Sequence, residues 1–166
     1  MIREGSSDVP YDDPGPTMTE HQLTELDRDE CVQLLLRHQV GRVAVTIDGQ
    51  PHIVPVTYAA DTGGDVVFRT GPDTVLARVD LERVAFEIDG VDLQARSGWS
   101  VSIHGVGREI TDDDDQTARF LRQKLGDSWA PGDRTRWFAI SPRELTGRRL
   151  QAAHGDDSSS PGVPWR

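Results

Sequence analysis

The sequence predicts a mainly β (α+β) fold, a six-stranded antiparallel barrel with helices at its periphery. Three observations lead there. Six segments of alternating or β-branched character follow one another along the chain, and helical stretches are confined to three short places near the start, middle and end. Tight-turn residues, Asp48-Gly49 above all, join neighbouring strands in antiparallel fashion. At 166 residues the chain has the size of one domain built on one hydrophobic core.

The elements follow in order. Asp27 and Glu30 have the spacing of a capping box, with Leu26 and Cys31 spaced as a hydrophobic staple, so a helix is predicted from about 28 to 38. Cys31, Leu34 and Leu35 share one face of it, which makes Cys31 a packed core thiol rather than a nucleophile. After Gly41 the period changes to alternation: Val43, Val45 and Ile47 point one way and Arg42, Ala44 and Thr46 the other. Asp48-Gly49 turns this strand into HIVPVTYAA (52–60), a β-rich segment interrupted by Pro55, which has no N–H for a sheet ladder. DVVFRT (65–70) is the third strand. Gly71-Pro72-Asp73-Thr74 then leads into a short helical stretch, VLARVD, and RVAFEID forms the fourth strand. A loop over 89–98 precedes a long strand, WSVSIHGVGREI (99–110), whose interior glycines predict a bulge or a bend. Thr111 and Asp114 repeat the capping-box spacing, and the Asp112 to Asp115 run caps a helix carrying Phe120, Leu121, Lys124 and Leu125 and ending near Gly126. RWFAI (136–140) is the sixth strand, followed by Ser141-Pro142 and a closing segment, LTGRRL. Residues 1–19 and 151–166 are predicted to be disordered tails around a domain over 20–150, because their Gly, Ser, Pro and Asp cannot bury enough surface to offset ordering entropy.

Composition excludes several classes. The net charge is -10, reduced to -5 over residues 21–150, which opposes binding to phosphate backbones, so no nucleic-acid partner is expected. No apolar run reaches membrane-spanning length and the first residues lack the apolar core of a signal peptide, so the expectation is a cytoplasmic protein with no membrane association. A single cysteine rules out an internal disulfide or a cysteine metal cluster. The five histidines lack metal-ligand spacing, and no metal site is expected; His52 and His104 stand out only because both lie on core strands. Walker loops, dinucleotide glycine fingerprints, nucleophile elbows and zinc-protease helices are absent. One constellation carries chemistry. Arg69-Thr70-Gly71 at a strand end and Pro72-Asp73-Thr74 at a helix start offer a guanidinium fork, two hydroxyls and backbone amides, which suits a phosphate monoester, although a Thr helix cap at a strand end also occurs with no ligand.

In sequence, GRVAVTIDGQPHIVPVTYAA, VVFRTGPDTVLARV, VAFEID, GWSVSIHGVGREI and WFAISPRELTGRRL resemble the pyridoxamine 5′-phosphate oxidase-like family of flavin-binding split barrels, over roughly residues 24–150. The resemblance implies a six-stranded split barrel that forms a homodimer with FMN in a groove at the subunit interface. It implies that Ile53, Val54, Pro55, Val56, Thr57 and Tyr58 lay their backbone beside the isoalloxazine, where the missing donor of Pro55 becomes intelligible. Arg69, Thr70 and Thr74 would hold the FMN phosphate, and Trp99 and Ser100 would border the ring. The implied activity is FMN-dependent oxidation or reduction of a small organic substrate. No catalytic residue is assigned, since the flavin itself carries the hydride chemistry. The family also contains members that resemble F420-dependent reductases and haem-binding proteins, and a non-enzymatic binding or sensing role fits the same fold. One departure bears on this choice: many relatives carry Lys directly after the residue matching Thr74, and here Val75 stands there, leaving Arg69 or Arg78 to supply the charge.

Overall fold

The computed structural model describes residues 21–78, 81–111, 116–125 and 133–152. Its elements are β1 (His21–Glu25), α1 (Arg28–Arg37), β2 (Val40–Ile47), β3 (Gln50–Ala60), β4 (Val66–Thr70), a single 3-10 turn (Val75–Ala77), β5 (Val84–Asp92), β6 (Ser97–Ile110), α2 (Gln116–Leu125) and β7 (Arg136–Ala152). The sheet runs β1-β7-β4-β3-β2-β5-β6, and β6 pairs again with β7. Six strands, β2 to β7, therefore close an antiparallel ring, and β1 is appended to it. The predicted fold class holds.

The local signals act as their chemistry requires. The Asp27 carboxylate accepts the Glu30 N–H at 2.8 Å, and the Glu30 carboxylate accepts the Asp27 N–H at 3.2 Å, so the capping box starts α1. Asp48 and Gly49 both take positive φ, 49° and 78°, as a two-residue hairpin demands. The barrel interior is filled by Val43, Val45, Phe68, Phe86, Ile103 and Ile140 among others. A second, smaller cluster of Ala59, Val67, Ile110, Leu121 and Ala139 lies under α2, so β4 buries both of its faces. Cys31 is fully buried, as expected, and burial among acidic neighbours pushes its thiol pKa up. Its sulfur abuts Gly147, where an added Cβ would stand 2.6 Å away; glycine lets α1 close over β7.

Four expectations need correction. The strand count is seven, because the polar segment HQLTE pairs with residues 148–152 of β7. The sixth strand and the closing segment are one strand of 17 residues. It passes through Ser141-Pro142 because the β6–β7 register shifts there: His104 pairs Glu144 and Gly105 pairs Pro142, leaving Arg143 bulged out. Much of the predicted 89–98 loop is strand, reduced to a four-residue turn in which the Asp92 carboxylate accepts the N–H groups of Gln94 and Ala95, each at 2.9 Å. Of the predicted VLARVD helix, the described residues form only the 3-10 turn Val75–Ala77, and Val79 and Asp80 lie outside them. The predicted tails lie outside the described residues, apart from Gln151 and Ala152, which end β7. The acidic run Asp112 to Asp115 and Gly126 also lie outside them.

Candidate functional site

The chain turns sharply at the end of β4, and the predicted phosphate-binding residues divide there. Strand alternation sends Thr70 inward, where it is 2% exposed, and Arg69 to the opposite face. The Thr70 and Thr74 hydroxyl oxygens lie 2.7 Å apart. Since the Thr74 hydroxyl donates to the Gly71 carbonyl at 2.9 Å, Thr70 is the donor within the pair, and both hydroxyl protons are held inside the turn. An incoming anion would have to re-aim them. The 3-10 turn that follows is one turn long with no side-chain cap, so it offers less than the helix start the sequence suggested.

Arg69 places its guanidinium 5.5 Å from the Trp137 ring centroid, with Arg122 5.0 Å from the same ring. Its Nε is shielded from solvent and has no hydrogen-bond partner; among the described residues only the Nε of Arg134 shares that state. A buried donor left unpaired is unfavourable by about 1–3 kcal/mol, so the corner fits a ligand that brings acceptor oxygens. Arg134 precedes β7, and no local pattern marks it: the β4–β7 pairing, in which Thr70 faces Arg136, brings its backbone beside the corner. Of the charges expected to replace the absent Lys, Arg78 instead faces Asp73 at 3.6 Å in an exposed pair. Val75 is half-buried and packs against the barrel core.

The Ile53–Tyr58 stretch has one paired and one open edge. Its register with β2 pairs Val40 with Thr57 and Ile47 with Gln50, whereas β4 takes up only Tyr58 to Ala60 on the other edge. The Tyr58 N–H donates to the Gln39 carbonyl at 2.9 Å. Antiparallel alternation then aims the N–H groups of Val54 and Val56 at β2 and those of Ile53 and Thr57 off the open edge, and it places both Pro51 and Pro55 where an N–H would meet no strand among the described residues. The open edge explains the prolines. Side chains alternate independently: Val54, Val56 and Tyr58 pack in the core, while Ile53 is 68% exposed. The Tyr58 hydroxyl donates to the Leu35 carbonyl at 2.9 Å, and burial raises its pKa, so beyond its backbone this residue serves α1 packing.

Trp99 and Ser100 lie elsewhere. Both are on β6, which β2 and β5 separate from β3 in the ring. Trp99 covers Gly90, where a Cβ would fall 2.6 Å from the indole nitrogen, and tilts against His38 with centroids 4.6 Å apart. The two rings line a cleft of about 460 Å³ with Gly98, Arg149 and Leu150. His38, one of the five histidines, lies at the helix end, and its Nδ1 donates to the Leu34 carbonyl at 2.8 Å. Of the two histidines singled out, His104 contacts Glu144 at 3.2 Å and lines a groove of about 510 Å³ beside the bulge, and His52 is half-buried on β3 opposite Val45.

A closed antiparallel ring with one strand partly open at its edge defines a split barrel. The chain belongs to the pyridoxamine 5′-phosphate oxidase family, whose model matches residues 27–149. An uncharacterized protein of Mycobacterium tuberculosis, Rv0080, is 35% identical over 146 residues, covering 84% of this chain and 91% of the relative. The structure of an FAD-binding protein from Mycobacterium smegmatis aligns with a TM-score of 0.62 at 31% identity, covering 77% of this chain and 98% of that one. An FAD-binding protein from Mesorhizobium loti shares the fold at 24% identity, with a TM-score of 0.62 over 80% of this chain and 99% of its own.

Proposed function

We propose that this protein binds a flavin and acts as an FMN-dependent oxidoreductase on a small organic substrate, as a homodimer. The observation that carries the reading is the buried, unpartnered Arg69 Nε at the end of β4, one residue from the Thr70–Thr74 hydroxyl pair on the other face and beside the open edge of β3. The flavin-binding relatives support it. Arg69, Thr70 and Thr74 hold the phosphate in this reading, and the outward backbone groups of Ile53 and Thr57 face the ring edge. Bound isoalloxazine supplies the hydride chemistry, and the chain supplies orientation and exclusion of water. Trp99 and Ser100 lie on β6, which does not pair with β3, and in this reading they border the ring of the flavin held by a second copy, as in a two-fold pair.

A second reading has its own observation. Val75 replaces a cation with a side chain committed to the core, which weakens phosphate retention and favours a flavin-binding or sensing protein without turnover. F420 is disfavoured by the net -5 of residues 21–150, given its anionic tail. Turnover separates the two readings. FMN-loaded protein mixed anaerobically with reduced nicotinamide and then with an artificial acceptor is expected to bleach and recolour repeatedly; a flavin that stays oxidised throughout removes the oxidoreductase reading and leaves the binding one.

A further inference from the structure

With Val75 in place of Lys, the phosphate corner lacks one cation on its own turn, and its neighbours are already engaged. Arg78 faces Asp73, and Arg136 binds the Glu109 carboxylate at 2.5 Å and the Ala77 carbonyl. Arg134 is in a different state. Its Nε is shielded from solvent and unpartnered, as is that of Arg69. The segment before β7 also reaches the corner directly: a Cβ on Gly71 would stand 3.1 Å from the Asp133 carbonyl oxygen and 3.5 Å from the Thr74 methyl carbon. Glycine at 71 therefore permits the approach that brings the residue after Asp133 beside Thr70 and Thr74. Two shielded Nε donors without acceptors, one on the strand that ends at the corner and one on the segment whose backbone reaches it, leave charge for an incoming anion, and guanidinium forks match the oxygens of a phosphate.

We propose, on the flavin reading above, that Arg134 is the second phosphate-binding cation, supplying from the entry to β7 the charge absent at position 75 and favouring flavin phosphates over riboflavin. The test uses the full chain as wild type, Arg134→Gln, and Arg134→Gln combined with Val75→Lys. FMN and riboflavin are titrated by fluorescence quenching, and inorganic pyrophosphate by calorimetry. Arg134→Gln is expected to weaken FMN and pyrophosphate by about 10- to 100-fold, the range for loss of a charged hydrogen bond, with riboflavin little changed. Adding Val75→Lys is expected to restore FMN binding, which a merely structural role for Arg134 does not allow. Unchanged FMN affinity in Arg134→Gln, an equal loss for FMN and riboflavin, or equal affinity of wild type for both overturns the assignment while flavin binding stands. Pyrophosphate binding that depends on Arg134, with neither flavin bound, supports the cation and removes the flavin reading. Binding of none of the three by wild type overturns both.

Discussion

Arg69 shows how a residue can be legible in sequence while its surroundings are not. Its position at a strand end next to Thr70 marks it as a candidate anion ligand, but alternation puts its side chain on the Trp137 face and Thr70 on the other. A local motif fixes neighbours along the chain, whereas the face each occupies relative to a second strand depends on pairing. Arg134 was invisible for the same reason, since only the β4–β7 register carries it to Gly71. If Arg69 donates to the phosphate, Arg69→Ala is expected to weaken FMN by about 1.5–3 kcal/mol, one to two decades in affinity, and Val75→Lys to strengthen it in the opposite sense. Riboflavin, lacking the phosphate, is expected to respond to neither. Fluorescence titration of both flavins checks this, and equal shifts for the two ligands place the phosphate elsewhere.

At the scale of elements, the sequence shows what side-chain pattern determines and hides what backbone pairing determines. Alternation and β-branching marked β2, β3, β4 and the inner parts of β5 and β6, and the capping box marked α1. β1 is polar and mostly exposed, held by ladder bonds to β7 rather than by an apolar face, so its residues carry no period. Pro142 reads as a strand end because the bulge that accommodates it is set by Gly105 on the partner strand, where a Cβ would fall 2.3 Å from the Ser141 carbonyl oxygen. The β6–β7 pair carries its own pH dependence. Arg136 on β7 hydrogen-bonds Glu109 on β6 and holds its carboxyl below the ordinary 4.5. A depressed folded pKa gives stability that is present above 4.5 and lost as the pH falls through the folded value. The melting temperature of wild type is therefore expected to exceed that of Glu109→Gln at pH 7, and the gap to close progressively as the pH drops below 4.5. A gap that persists unchanged into acid means the pair contributes through packing alone.

For the whole molecule, the ring closes on itself, yet the pieces of the candidate site do not. The open β3 edge and the Thr70–Thr74 corner belong to β3 and β4, whereas Trp99 lines a cleft built by β5, β6 and the end of β7 together with His38. On the proposed reading a single copy holds half a site at each of two places, and a two-fold pair of copies would complete two sites at once. Flavin binding and dimerisation are one claim on this account. Sedimentation velocity of FMN-loaded protein, followed at the visible absorption of the flavin, measures both together. The account predicts a single boundary in which oxidised-flavin absorption travels with a species of twice the 18.4 kDa chain mass. Flavin left unsedimented at the meniscus, or flavin travelling with a monomer, contradicts it.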